Sequence, residues 1–121
     1  MPREAIVQSF MALVEAGDHV EAIGRYYHPD ASMQENTGEP RRGRAVLMAH
    51  ERKAMAGARS IVSRRMTEPL ISGDHVAIRW QFDFILLDGS GFTLDEVALQ
   101  RWQGDEIIEE RFYYDPKQMG R

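Results

Sequence analysis

The stretch that decides the fold is Val76-Ala77-Ile78-Arg79-Trp80-Gln81-Phe82-Asp83-Phe84-Ile85-Leu86-Leu87, then Asp88-Gly89-Ser90-Gly91, then Phe92-Thr93-Leu94-Asp95-Glu96-Val97-Ala98-Leu99-Gln100-Arg101-Trp102. Apolar and polar residues alternate on both sides of the glycine-rich centre, which is the period of a β-strand. Asp88-Gly89-Ser90-Gly91 places glycine where a tight hairpin needs positive φ. The segment therefore reads as two long antiparallel strands. Pairing Asp88 with Gly91 sets the register. Asp83 then faces Glu96, Gln81 faces Ala98 and Arg79 faces Gln100, all on one side. The other side carries Ile78, Trp80, Phe82, Phe84 and Leu86, with Val97, Leu99 and Arg101. One face is apolar and the other is polar with both signs of charge. By pattern alone, the apolar face meets the rest of the core and the polar face meets water. The inverse arrangement gives the same alternation: the polar face lines a pocket and the apolar face is buried against a second subunit.

Working outward, Gly104-Asp105 turns the chain into a last strand, Glu106 to Tyr114. Upstream, Ser60 to Thr67 is a strand and Ser72-Gly73-Asp74 a turn. The first third is helical. Ile6, Phe10, Leu13 and Val14 share one helix face, and Gly17 is a left-handed C′ residue. Asp18 with Glu21 forms a capping box for a second helix, which ends before His28-Pro29. Asp30 to Gln34 is a short strand. A third helix runs from about Arg44 to Ala56. Helices first and an antiparallel meander second make an α+β domain, expected to be a single one over residues 1–121.

Composition narrows the function. The 121 residues are 43% hydrophobic, enough for one core. With 15 Lys+Arg against 19 Asp+Glu, the net charge of −4 gives no electrostatic reason to bind nucleic acid or an anionic membrane. Cysteine is absent, which removes disulfides, thiolate metal sites and cysteine nucleophiles. The four His show no helical i, i+4 ligand spacing, so no metal site is expected. No apolar run approaches the roughly 20 residues that span a bilayer. Met1-Pro2-Arg3-Glu4 leads into no apolar leader segment, so a cytoplasmic protein is expected. No phosphate-binding loop, dinucleotide fingerprint or nucleophile elbow is present.

Four strings and their order carry a resemblance: Ala16-Gly17-Asp18, Tyr27-His28-Pro29-Asp30-Ala31, Arg42-Gly43-Arg44, and Gly104-Asp105-Glu106-Ile107-Ile108-Glu109. Over nearly its whole length the chain resembles the nuclear transport factor 2-like superfamily, in its SnoaL-like and ketosteroid isomerase-like branch. The resemblance implies a cone-shaped barrel: three N-terminal helices packed on a strongly curved antiparallel sheet, with a closed-bottom pocket. It also implies a homodimer through the outer sheet face, a small organic molecule as partner, and no cofactor. It therefore favours the inverse arrangement of the hairpin. The isomerases' proton-moving carboxylate falls on Glu35. Their oxyanion donors, a Tyr and a protonated Asp, fall on Phe10 and Ala98, neither of which donates. A standard ketosteroid isomerase is thus excluded.

The resemblance points His50 into the cone beside Asp83, Glu96, Arg79, Gln81 and Gln100. A three-residue turn at Gln103-Gly104-Asp105 adds Glu110, Phe112 and Tyr114. A two-residue turn adds Glu109, Arg111 and Tyr113 instead. Each candidate has a bland counterpart. Glu35 is a general base or an ordinary rim carboxylate. His50 is an acid/base partner or a surface histidine. Asp83 and Glu96 are a proton-sharing pair with Arg79 as orienter, or part of a salt-bridge network. Tyr26 and Tyr27 divide between core and pocket. His28 is structural, and His19 and His75 are solvated. The expected function is a small-molecule-binding domain with a polar pocket, working as a cofactor-independent isomerase, cyclase or (de)hydratase. The alternative is a non-catalytic ligand carrier or a dimeric interaction module.

Overall fold

The computed structural model describes residues 1–120. Three helices, α1 (Glu4–Glu15), α2 (His19–Tyr26) and α3 (Arg44–Ala56), pack on one face of a seven-stranded sheet. The strands are β1 (Tyr27–Glu35), β2 (Arg41–Arg42), β3 (Ala58–Arg65), β4 (Leu70–Ser72), β5 (His75–Leu86), β6 (Gly91–Gln103) and β7 (Glu106–Tyr113). Their spatial order is β2-β1-β7-β6-β5-β3, with β4 beside β5. A short 3₁₀ helix, Pro116–Met119, follows β7. The sheet is open and mixed. β1 lies parallel to β7, and the other pairs are antiparallel.

The helices form where the sequence places them, with local differences. In α1 the buried stripe is Val7, Phe10, Met11 and Val14, so Ile6 and Leu13 sit at its margins. Gly17 adopts φ +89°, and its N–H and that of Asp18 donate to the Val14 and Leu13 carbonyls. The expected capping box does not form, since Asp18 makes no side-chain bond to the start of α2. β1 begins at Tyr27, before Pro29, because the first residues of a strand tolerate a proline that donates no N–H.

The hairpin differs from its expected register by three residues. Trp80, not Asp83, lies opposite Glu96, and Ile78 lies opposite Ala98. The turn is longer than a two-residue one. The Leu86 N–H donates to the Ser90 carbonyl, the Gly89 N–H donates to the Leu86 carbonyl, and Asp88 Oδ1 accepts from the Ser90 N–H and Oγ–H. Because the shift is odd, it exchanges the faces of the two strands relative to one another. The inner face therefore joins Ile78, Trp80, Phe82 and Phe84 of β5 to Leu94, Glu96, Ala98, Gln100 and Trp102 of β6. The apolar row of β5 is core, as plain alternation suggested, and is not an outer subunit-contact face. Arg79, Gln81 and Asp83 lie outside, with Thr93, Asp95 and Val97.

At the next turn, Gln103 pairs with Glu106, so the tip has two residues. A bulge then intervenes, with Arg101 opposite Glu109 but Trp102 opposite Ile107. This extra residue at Ile108 lets both Ile107 and Glu110 face inward. The strand thus combines the two-residue tip with the inner set expected of the longer turn.

Candidate functional site

The sheet curves around a cavity of about 280 Å³ beneath the helices. Rings dominate its wall: Phe10 from α1, Tyr27 from β1, Trp80, Phe82 and Phe84 from β5, Phe92 from β6 and Phe112 from β7. Trp80 stacks on Phe82 with centroids 5.7 Å apart, and Phe84 stacks on Phe92 at 4.7 Å. Met119 of the terminal 3₁₀ helix also reaches the cavity. Gln118 fixes that helix, its Oε1 accepting from the Asp95 N–H at 2.9 Å and its Nε2 donating to the Asp95 carbonyl at 3.1 Å.

Two buried carboxyls face this aromatic space. Glu110 is 3% exposed and fully engaged. The Tyr27 hydroxyl donates to its Oε1, and Gln100 Nε2 donates to its Oε2 at 2.7 Å. Trp102 Nε1–H in turn donates to Gln100 Oε1 at 3.0 Å, fixing the amide's orientation. Burial pushes the Glu110 carboxyl up to about 7, while the bonds from Gln100 and Tyr27 pull the other way. Burial and the Glu110 charge push the Tyr27 phenol well above its ordinary range, so it stays a donor.

Glu96 is 7% exposed and, among the described residues, has no hydrogen-bond donor. Burial is the main reason its carboxyl rises to about 8, and the charges of Glu110, Glu35 and Glu51 add to it. It is therefore a carboxylic acid at neutral pH, open to the cavity and able to give up a proton.

At the rim, Glu35 accepts from Arg41 Nη2 at 3.2 Å and from the Tyr114 hydroxyl at 3.0 Å. Burial and the Glu35 charge push the Tyr114 phenol up to about 12. His50 is exposed along α3 but borders the cavity mouth. On the helical wall, His19 Nε2 lies 2.8 Å from Ser63 Oγ, and Nδ1 lies 3.4 Å from Glu51 Oε1. His19 is thus a cavity residue rather than a solvated turn residue, because it opens α2 against the edge of Phe82, 5.6 Å between ring centroids.

Several sequence-derived site residues lie elsewhere. Asp83 sits on the outer face, where Thr93 Oγ1 donates to it at 2.7 Å and Arg64 Nη1 lies 2.7 Å away. These two partners hold its carboxyl below the usual range. The proton-sharing Asp83/Glu96 pair does not exist, because the register places the two side chains on opposite faces. Arg79 forks onto Asp95 at 2.6 and 3.0 Å, and Gln81 accepts from Arg64 at 3.2 Å, both outside. Ala98 is fully buried in the core. Gln100 is also fully buried and holds Glu110 in place rather than lining the main cavity. Tyr26 packs edge-on against Phe10 at 5.7 Å, while Tyr27 takes the cavity position. Among the described residues, no three His, Asp or Glu side chains gather as a metal-binding group.

Sequence comparison assigns residues 7–110 to the SnoaL-like domain. No curated protein matches the chain. Among solved structures, one similar protein comes from Mesorhizobium loti and is provisionally assigned as a SnoaL-like polyketide cyclase. It is 27% identical, with 91% of this chain and 97% of that one aligned at TM-score 0.77. A hypothetical protein of ketosteroid isomerase-like fold from Catenulispora acidiphila, solved with trimethylamine, is 21% identical. There 93% of this chain and 87% of that one align at TM-score 0.79. TerC, co-crystallised with polyporic acid, is 17% identical over 96% of this chain and 93% of that one, with TM-score 0.80. The latter two likenesses show the fold alone. The family match over most of the length and the open sheet under three helices agree: the chain belongs to the SnoaL-like domain family.

Proposed function

We propose that the protein binds a small organic molecule in the cavity and exchanges a proton with it through Glu96. One observation carries this reading. Among the described residues, a carboxyl raised to about 8 stands without a hydrogen-bond partner in a cavity lined mostly by aromatic and aliphatic side chains. Such a group is uncharged at neutral pH and ionises readily when a ligand takes its proton. Proton exchange is the step shared by cofactor-independent isomerases, cyclases and dehydratases. Glu110 with Tyr27, and Glu35 with Arg41 and Tyr114, supply further polar contacts around the ligand. A non-catalytic carrier is the second reading, supported by a lining that is mostly aromatic and aliphatic. The test is a thermal-shift screen of small organic molecules, followed by calorimetry in two buffers of different ionisation enthalpy. Binding to the native protein is expected to move a proton, and binding to Glu96→Gln is not. If none of the ligands that bind shows proton linkage, Glu96 is excluded from the role. Turnover of a bound ligand would separate enzyme from carrier.

We also propose a homodimer through the outer face of β6 and β7. Val97, Leu99 and Tyr113 there are 39%, 39% and 41% exposed, interleaved with the Arg101–Glu109 ion pair. Sedimentation at micromolar concentration should show a dimer, and a monomer at that concentration would end the proposal.

A further inference from the structure

Carboxyls outnumber the permanent cations around the cavity. Among the described residues four carboxyls line it, Glu35, Glu51, Glu96 and Glu110, against one guanidinium, Arg41, and two imidazoles, His19 and His50. Arg41 is committed to Glu35, Glu51 faces His19, and Glu110 is bonded by Tyr27 and Gln100. Of the four carboxyls, Glu96 alone has no hydrogen-bond or ion-pair partner among the described residues, although it is more than nine-tenths buried. Trp80 lies directly across the strand pair from it, with Phe82 stacked beyond. The faces of aromatic rings are the negative side of their quadrupole and attract cations. Carboxyls and rings therefore favour the same sign of charge. An anionic ligand would be repelled by both, whereas a cation is attracted by both once Glu96 has given up its proton.

We propose that the ligand is a small organic amine, bound as its ammonium with the charge against Glu96 and its apolar substituents on Trp80 and Phe82. The proposal rests on the reading that the cavity holds a small molecule, and it names the class. The proton balance is simple. A free amine takes the proton of the Glu96 carboxylic acid and becomes the ammonium partner of the carboxylate. A ligand already cationic instead expels that proton to solvent. The other titratable or charged groups on the cavity are Glu110 of β7, Glu35 of β1, Arg41 of β2, Tyr27, Tyr114, His19 of α2, and His50 and Glu51 of α3. Among the described residues, Arg41 bonds Glu35 through Nη2 while its buried Nε has no partner, His19 lies between Ser63 and Glu51, and His50 stays at the rim.

The test uses benzyltrimethylammonium and its uncharged isostere neopentylbenzene, with binding followed at the Trp80 indole signal by NMR. At pH 8.5 the cation should bind at least about tenfold tighter than the isostere, since the rings and the carboxylate act together. Its affinity should fall about twentyfold from pH 8.5 to pH 6.5 as protons reclaim Glu96, while that of the isostere stays constant. Glu96→Gln should remove the pH dependence of the cation's affinity between pH 6.5 and 8.5 and shrink its advantage over the isostere to what the rings supply. If that variant fails to fold, the pH dependence of the native protein decides the same question. Equal or tighter binding of the isostere would overturn the amine class and leave the small-molecule cavity standing. If neither probe moves the Trp80 signal, the cavity reading falls with it.

Discussion

At the scale of single residues, the site depends on how two similar carboxyls are treated differently. Glu110 is held by donors on both oxygens, and Glu96 is left open. Gln100 is the pivot of this difference, accepting from Trp102 and donating to Glu110. Gln100→Leu keeps the volume but strands a buried indole N–H and a carboxyl oxygen. It should destabilise the protein by about 1–3 kcal/mol, read by chemical denaturation. It should also raise the Glu110 carboxyl further, because a bond that lowers it is lost. A variant as stable as the native protein would show that the amide bridge is dispensable.

At the scale of elements, the β5–β6 hairpin sets which side chains meet. Gly91 opens β6 where the strand passes close to β5. A Cβ there would lie 2.7 Å from the Phe84 carbonyl oxygen and 3.0 Å from Ile85 Cδ1. Gly91→Ala must therefore part the strands just where Phe84 stacks on Phe92. A loss of about 1–3 kcal/mol in thermal or denaturant unfolding is expected, and no loss would show that the strand end is loose. Much of the fold was legible in the residues: the helix stop at Gly17, the alternation of both long strands, and the order of elements. The site was less so. Asp88-Gly89-Ser90-Gly91 is compatible with loops of different length, and a one-residue choice reverses a strand's faces. A tight turn there would put Asp83, Arg79 and Gln81 on the same face as Glu96 and Ala98, and Trp80 on the other. The bulge at Ile108 left no mark that alternation could reveal, so Glu110 appeared only as one of two alternatives. His19 and Glu51 come together across two helices, a contact that spacing along the chain does not encode. Glu35, His50, Phe10, Glu96 and Tyr114 do border the cavity.

At the scale of the whole molecule, the two buried carboxyls should leave a signature in stability. Their folded-state values lie above the ordinary carboxylate range, at about 8 for Glu96 and about 7 for Glu110. The folded protein then binds more protons than the unfolded chain between about pH 5 and 8, so stability falls as pH rises through that window. Glu96 alone should make the protein on the order of 3 kcal/mol less stable at pH 7 than below its unfolded-state value. The outer-face carboxylates Asp83 and Asp95, and Asp105 in the β6–β7 turn against Arg3, act oppositely, at lower pH, because their partners hold them down. Denaturation across pH 5–8 should therefore show a falling slope, and Glu96→Gln should flatten much of it. A flat native profile would mean that water reaches both carboxyls freely. The most direct measurement follows the Glu96 side-chain carboxyl carbon by NMR from pH 4 to pH 10, assigned by comparison with Glu96→Gln. The buried, unpartnered acid predicts a midpoint near 8. A midpoint near 4.5, that of an ordinary glutamate, would contradict it and remove the proton on which the proposed function depends.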